Sequence, residues 1–253
     1  MSPGGIWTEC GESLEAPYRA MRYGTGMIEA FSNQTSAADA AAAHIGDRLA
    51  EALRLRGRAA FVATGGRSPG PVYDRLARVA IDWTRVVVTL SDERFVPPEA
   101  ADSNARLVNE RLRVGPAARS IFVPLWSPAA SVDAAARTAE PTVRALLPFD
   151  VVLLGMGEDG HVASLIPGSP ALEAGMDPAG ERVLLGVPEG AGSPPLARIT
   201  LTLAALLQSR AILITVAGEA KREVLRAAAA GADYPVGAIL RQTGVPVRII
   251  WSP

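Results

Sequence analysis

The sequence predicts an α/β fold: a mostly parallel sheet with helices on both faces. Three observations carry this. Short apolar runs alternate with longer stretches of helical composition along the 253 residues. One run, Val151-Val152-Leu153-Leu154, has no polar alternation and reads as a strand buried on both faces. The runs at 59–63, 85–90 and 151–154 each lead into a turn rich in Gly, Ser or Asp, where open α/β sheets collect ligands.

The elements follow in order. Residues 1–26 are rich in Gly, Pro and polar residues without a period, and predict a flexible N-terminal extension, with Met27 as an alternative start. Residues 27–253 read as a single α/β domain. A helix is expected over 36–56, with Ser36 as N-cap and Gly57 as the stop. Strands are expected at 59–63, 85–90, 121–125, 151–154, 182–187, 211–216 and 247–251. Further helices fit 71–80, 104–113, the Ala-rich 131–147, 201–208 and 221–230. The Pro/Gly-rich stretch 188–195 reads as a surface loop. No linker splits the chain and no repeat of fixed period is present.

Bulk properties narrow the function. The net charge is −1 and the pI about 6.2, so no global basic field favours nucleic acid. No apolar run reaches the length of a membrane span, and none follows a basic start as in a secretion signal. A single cysteine, Cys10, excludes an internal disulfide. A cytoplasmic protein without nucleic-acid or membrane partners is expected, as a monomer or small homo-oligomer. Lys221 is the only lysine; every other cationic side chain is arginine. A GC-rich genome drifts lysine toward arginine wherever a surface charge suffices. A compact ammonium is not interchangeable with a planar guanidinium, so the survivor is a candidate ligand group.

Four segments carry chemistry. Thr64-Gly65-Gly66-Arg67-Ser68-Pro69-Gly70 joins a strand to a helix, with Ser68 as cap and Pro69 at the first helical position. Such a helix start exposes N–H groups to an anion, although the GK[ST] ending of a P-loop is missing. Ser91-Asp92-Glu93-Arg94, followed by Asp102-Ser103-Asn104, reads as a charged turn in which Arg94 can meet phosphate or an oxyanion. The third segment runs from Gly155 to Gly168, and its glycines make room for Asp159 and His161. An imidazole can take a proton from water at working pH, so His161 suits a general base, with Asp159 to orient the ring. The fourth places Arg198 and Lys221 as cations for an anionic substrate. No second histidine or cysteine has ligand spacing, so neither metal nor cofactor is expected.

Gly155-x-Gly157-x-x-Gly160 also matches a dinucleotide fingerprint. Pro167 and Gly168 interrupt the long helix that the fingerprint must open, and Glu181 stands at the wrong end of the next strand. The longer tail, Asp159-Gly160-His161 followed by Ala163-Ser164-Leu165 and Pro167-Gly168, is far more specific.

Together, the segments from Thr64 to Lys221 resemble the 6-phosphogluconolactonase family. The resemblance rests on Asp92-Glu93-Arg94 with Val96-Pro97 and Ser103-Asn104, and on Gly155-Met156-Gly157 with the tail just quoted. It implies a Rossmann-like sheet shared with sugar-phosphate isomerases, and hydrolysis of 6-phosphoglucono-δ-lactone, a phosphorylated sugar lactone, without a required metal. It implies His161 as general base with Asp159 as partner and Arg94 as a third catalytic group. Gly65, Gly66, Arg67, Ser68, Asp92, Arg94, Gly157, Arg198 and Lys221 would hold phosphate or sugar oxygens. Arg67-Ser68 stands where many relatives carry Ser-Thr. Two alternatives share the fold. A glucosamine-6-phosphate deaminase would carry a glutamate where this chain has Ile166, and a tyrosine in place of Arg94. A sugar-phosphate-sensing module would accompany a DNA-binding domain, and no helix-turn-helix pattern is evident.

Overall fold

A computed structural model describes residues 18–23, 26–66 and 68–253. In chain order, β1 (Tyr18–Tyr23) and β2 (Gly26–Phe31) lead into α1 (Gln34–Arg56), β3 (Ala59–Ala63) and α2 (Gly70–Leu76). Next come β4 (Val86–Leu90), β5 (Asp92–Arg94), α3 (Asn104–Arg111), β6 (Ile121–Phe122) and α4 (Val132–Arg144). Then follow β7 (Val151–Leu154), α5 (Leu172–Met176), β8 (Leu184–Val187), β9 (Arg198–Leu201) and α6 (Leu203–Leu206). The chain closes with β10 (Ile212–Ala217), α7 (Glu219–Ala229), α8 (Pro235–Arg241) and β11 (Val247–Ser252).

Among the described residues the strands form two sheets. The larger has eight strands in the order β1-β2-β11-β10-β7-β3-β4-β6, and the smaller has the order β5-β9-β8. Every pairing in the larger sheet is parallel except β1 with β2. The central strands β3 and β7 are buried at every residue, which explains their unbroken apolar sequence. The crossovers β3-α2-β4 and β10-α7-α8-β11 step in opposite directions along the sheet. Right-handed crossovers of opposite direction put their helices on opposite faces, so the two-faced arrangement follows from the strand order.

Local chemistry accounts for most element ends. α1 stops at Gly57, whose φ of +71° suits glycine and whose N–H donates to Leu53 O. Its N-cap is Asn33 rather than Ser36: the Asn33 side chain accepts from Ser36 N, so helix begins two residues earlier than expected. α2 starts at Gly70 without a side-chain cap, so Ser68 does not fill that role. The strand expected over 121–125 shrinks to two residues, because Pro124 has no N–H for the ladder. The helix expected over 201–208 shortens to α6, preceded by a strand that was not expected. Arg198–Leu201 pairs antiparallel with β5 and β8, and Thr202 then caps the short α6. Pairing decided what a four-residue segment could not. α8 was not expected.

The boundary expected at residue 27 falls inside β2, and β1 brings residues 18–23 of the expected extension into the sheet as an edge strand.

Candidate functional site

The strand order reverses between β3 and β7. From β3 the chain steps to β4 and β6; from β7 it steps the other way, to β10 and β11. A crevice opens outside the carboxyl ends at such a switch point. The loops after β3, β4, β7 and β10 all leave from that edge and carry the candidate residues except Arg198, which stands on β9 of the smaller sheet.

The turn after β7 folds on itself. Gly157 N–H donates to His161 O at 3.0 Å and Gly160 N–H to Gly157 O at 3.1 Å. The Asp159 Oδ1 oxygen accepts from His161 N at 3.2 Å and meets His161 Nδ1 at 2.5 Å. A carboxylate can only accept, so Nδ1 carries the proton of this contact and, in the neutral ring, Nε2 has the lone pair. The His161 side chain is 25% exposed and that of Asp159 45%, within reach of a solvent-borne substrate. Glycine at 157 is required by this packing: a Cβ there would land on His161 Nδ1 and Asp159 Oδ1. Gly160, at φ +74°, lies under Tyr234, whose ring carbon would stand 2.6 Å from an added Cβ. The Val236 N–H ties the start of α8 to Gly160 O at 3.0 Å.

Two residues past His161 stands Ala163 at φ +50°, the one non-glycine among the described residues with a left-handed backbone. It lies within a turn closed by the Leu165 N–H to Val162 O bond of 3.0 Å. Ser164 follows, 1% exposed. Its N–H donates to Thr200 Oγ1 at 3.0 Å and its hydroxyl to Asp92 Oδ2 at 2.7 Å.

The smaller sheet organises the charged segment. Asp92 pairs with Thr200 and Arg94 with Arg198; strand alternation puts these four side chains on one face. Asp92 is 5% exposed. Its carboxylate accepts from Ser91 Oγ and Ser164 Oγ and lies 3.9 Å from Arg198 Nη1. Asp92, a candidate for substrate contact, is thus buried and bonded to neighbouring side chains. Arg198 is likewise enclosed, at 3% exposed, with Nη2 donating to Pro194 O at 2.8 Å. Burial lowers its pKa from the ordinary guanidinium value, against the pull of Asp92. Arg94 donates to Asp102 O at 2.6 Å, and its Nε is buried without a partner among the described residues. Glu93, on the opposite face, accepts from Arg94 N, Ser103 Oγ, Asn104 N and Ala105 N. It anchors the start of α3, and burial raises its pKa despite those donors.

The loop after β3 fits against this cluster. Asn104 Nδ2 donates to Asp92 O at 2.8 Å, and its amide occupies the space a Cβ on Gly65 would need. Tyr73 OH accepts from Thr64 N at 2.8 Å and donates to Thr64 O at 2.6 Å, fixing the strand exit. Gly66, at φ +94°, meets open space. Arg67 lies outside the described residues. Ser68 is exposed and borders a shallow depression with Thr215, Ala217 and Ser252 at the ends of β10 and β11. Lys221 sits in the first turn of α7, directly after β10.

The structure therefore groups the sequence candidates into three clusters. Gly157, Asp159 and His161 form one; Asp92, Arg94 and Arg198 form a second behind it. Gly65, Gly66 and Ser68 follow β3, and Lys221 follows β10 at the same edge. Ser164, Asn104, Glu93, Thr200 and Tyr234 were missed. Ser164 and Asn104 stand within the quoted motifs, but nothing local marks them as buried links. Among the described residues, no three His, Cys, Asp or Glu side chains cluster as a metal site, and no helix is long and apolar enough to cross a membrane.

Comparison with known proteins agrees over most of the chain. The family model described as glucosamine-6-phosphate isomerases/6-phosphogluconolactonase matches residues 32–251. A 6-phosphogluconolactonase of Caulobacter vibrioides is 47% identical over 225 residues, covering 89% of this chain and 97% of the relative. One from Rhizobium meliloti is 42% identical over 228 residues, covering 88% and 97%. The crystal structure of a 6-phosphogluconolactonase from Shewanella baltica superposes with a TM-score of 0.83 at 35% identity, covering 89% and 97%. A monomeric glucosamine-6-phosphate deaminase superposes with a TM-score of 0.73 at 19% identity, covering 89% and 96%, and so shares the fold.

Proposed function

The chain belongs to the glucosamine-6-phosphate isomerase/6-phosphogluconolactonase family, and from that membership we infer that it hydrolyses 6-phospho-D-glucono-1,5-lactone to 6-phospho-D-gluconate. This is the second step of the oxidative pentose phosphate pathway, the hydrolysis of a carboxylic ester. The observation that carries the site assignment is the 2.5 Å bond from His161 Nδ1 to Asp159, which leaves Nε2 free as a base.

In the proposed reaction, His161 Nε2 takes a proton from water as the water oxygen attacks the lactone carbonyl carbon. The Asp159 carboxylate stabilises the imidazolium that forms. The bond from that carbon to the ring oxygen then breaks, and His161 returns the proton to the departing oxygen. The new carboxyl group ionises and releases acid. The Gly157 N–H is already committed to His161 O, so Arg94 is the stronger candidate for the developing oxyanion. Gly65, Gly66, Arg67, Ser68 and Lys221 hold the phosphate and so fix the ring. Asp92 and Arg198 support that surface from behind.

The deaminase alternative is not favoured. Ile166, 2% exposed, stands where that chemistry needs a carboxylate. The reading takes the larger sheet from β1 onward, together with the smaller sheet and the helices, as one catalytic domain; the family match covers 32–251 of it. It treats the protein as a cytoplasmic monomer or small homo-oligomer without a nucleic-acid or membrane partner, supported by the net charge of −1 and the single Cys10.

The test is acid release from freshly generated 6-phosphoglucono-δ-lactone above the spontaneous rate, with His161→Ala beside wild type. Acceleration by wild type alone is expected. Wild-type turnover in the folded variant would remove His161 from the mechanism.

A further inference from the structure

We propose that Ser164 is a positioning residue for lactone hydrolysis, holding the left-handed Ala163 link that aims His161 at the carbonyl. The proposal rests on the assignment of His161 as the base. An L-residue at φ +50° persists only where its surroundings over-determine it. Here the turn's own bond, Leu165 N–H to Val162 O, constrains the loop from one side. Ser164 supplies the remaining constraint with both of its polar groups. Its hydroxyl reaches Asp92 at 2.7 Å, 72 residues away in sequence, and its N–H reaches Thr200 at 3.0 Å, 36 residues away. Asp92 and Thr200 are themselves a paired position of the smaller sheet. One residue, through its backbone N–H and its hydroxyl, thus pins the loop after β7 to a different sheet, and His161 lies two residues upstream of the pinned link.

Ser164 is not itself a reacting group. It is 1% exposed and already gives its proton to a carboxylate with no imidazole beside it. Its influence must pass through geometry, and a displacement of about 1 Å at a reacting group costs on the order of 10²-fold in rate.

The test uses Ser164→Ala, Ala163→Gly and the double variant, each assayed on the phosphorylated lactone and on unphosphorylated glucono-1,5-lactone. Ser164→Ala should lower kcat roughly 10- to 100-fold on both substrates, with KM for the phosphorylated lactone within about twofold. The variant should remain folded by circular dichroism. Glycine adopts the left-handed conformation without steric cost, so adding Ala163→Gly should restore kcat several-fold. A purely structural Ser164 predicts no such rescue. Wild-type kcat in Ser164→Ala, a rise in KM alone, or no rescue in folded protein would each overturn the proposal. If Ser164→Ala does not fold, Thr200→Val removes the other tie isosterically. Its kcat should fall and be restored by Ala163→Gly, and an unchanged kcat counts against the idea. Wild-type turnover in His161→Ala defeats the base assignment. An inactive His161→Ala beside an unaffected Ser164→Ala defeats this proposal alone.

Discussion

Replacing Gly157 by alanine should leave the fold standing and remove most of the activity. The added methyl lands on His161 Nδ1 and Asp159 Oδ1, and both are ends of partly exposed side chains. These can swing into solvent, so the cost to stability is within about 1 kcal/mol, as for other changes at partly exposed positions. Swinging away, however, moves the ring by about 1 Å or more and breaks the bond that fixes its tautomer. A displacement of that size costs on the order of 10²-fold, and the lost orientation of the imidazole adds to it. A loss in kcat of roughly 10²- to 10³-fold follows, with KM nearly unchanged. Gly186→Ala is the counterpart. Its Cβ would stand 2.8 Å from Asp133 Cα and N, which are backbone atoms and cannot step aside. Overpacking there should cost about 1–3 kcal/mol of stability and spare the kcat of the folded enzyme. Acid release in a pH-stat and urea denaturation of both variants separate the two outcomes. A Gly157→Ala enzyme with near-wild-type kcat would show that the Asp159–His161 geometry does not limit the reaction.

Two more expectations follow from the same reasoning. Lys221 makes no ion pair with the described residues, and a charge-assisted bond to phosphate is worth about 1.5–3 kcal/mol. Lys221→Ala should therefore raise KM for the phosphorylated lactone about 10- to 100-fold and leave kcat nearly unaltered; an unchanged KM returns the residue to surface charge. Glu140 is 8% exposed and accepts from Val183 N, Arg182 Nε and Arg144 Nη2. Burial pushes its pKa up, but these donors outweigh it and hold the group below 4.5. A depressed carboxylate adds stability above its unfolded pKa and loses it as pH falls through the folded value. Urea stability should thus decline below about pH 4.5, and Glu140→Gln should flatten that decline while costing about 2 kcal/mol at pH 7. Parallel pH profiles for the two proteins would contradict this.

Most differences between sequence and structure arise where a short segment meets another strand. The helix expected over 201–208 shortened to α6, and the unexpected β9 formed just before it, because a run as short as Arg198–Leu201 takes its state from its partners. The unexpected β1 and β2 lie where the sequence shows no period. Asn33 displaced Ser36 as cap of α1, two equivalent side-chain chemistries three residues apart. For β1, β2 and β9, pairing with another strand decided the outcome; for the cap of α1 the choice lay within the helix's own first turn.

By itself the sequence determined the alternation of buried strands and helices, the stop at Gly57, and the glycine turn that presents Asp159 and His161. These depend on neighbours within one turn of chain, where backbone preference and side-chain reach decide the conformation. Only the tertiary structure decided that Asp92 and Arg198 are buried against neighbouring groups, and that Ser164, Asn104 and Tyr234 tie together the loops that carry the candidate residues. Whether a polar side chain meets substrate or a buried partner depends on which distant strand closes over it. The bond from Ser164 to Asp92 spans 72 residues, and no local spacing carries that information.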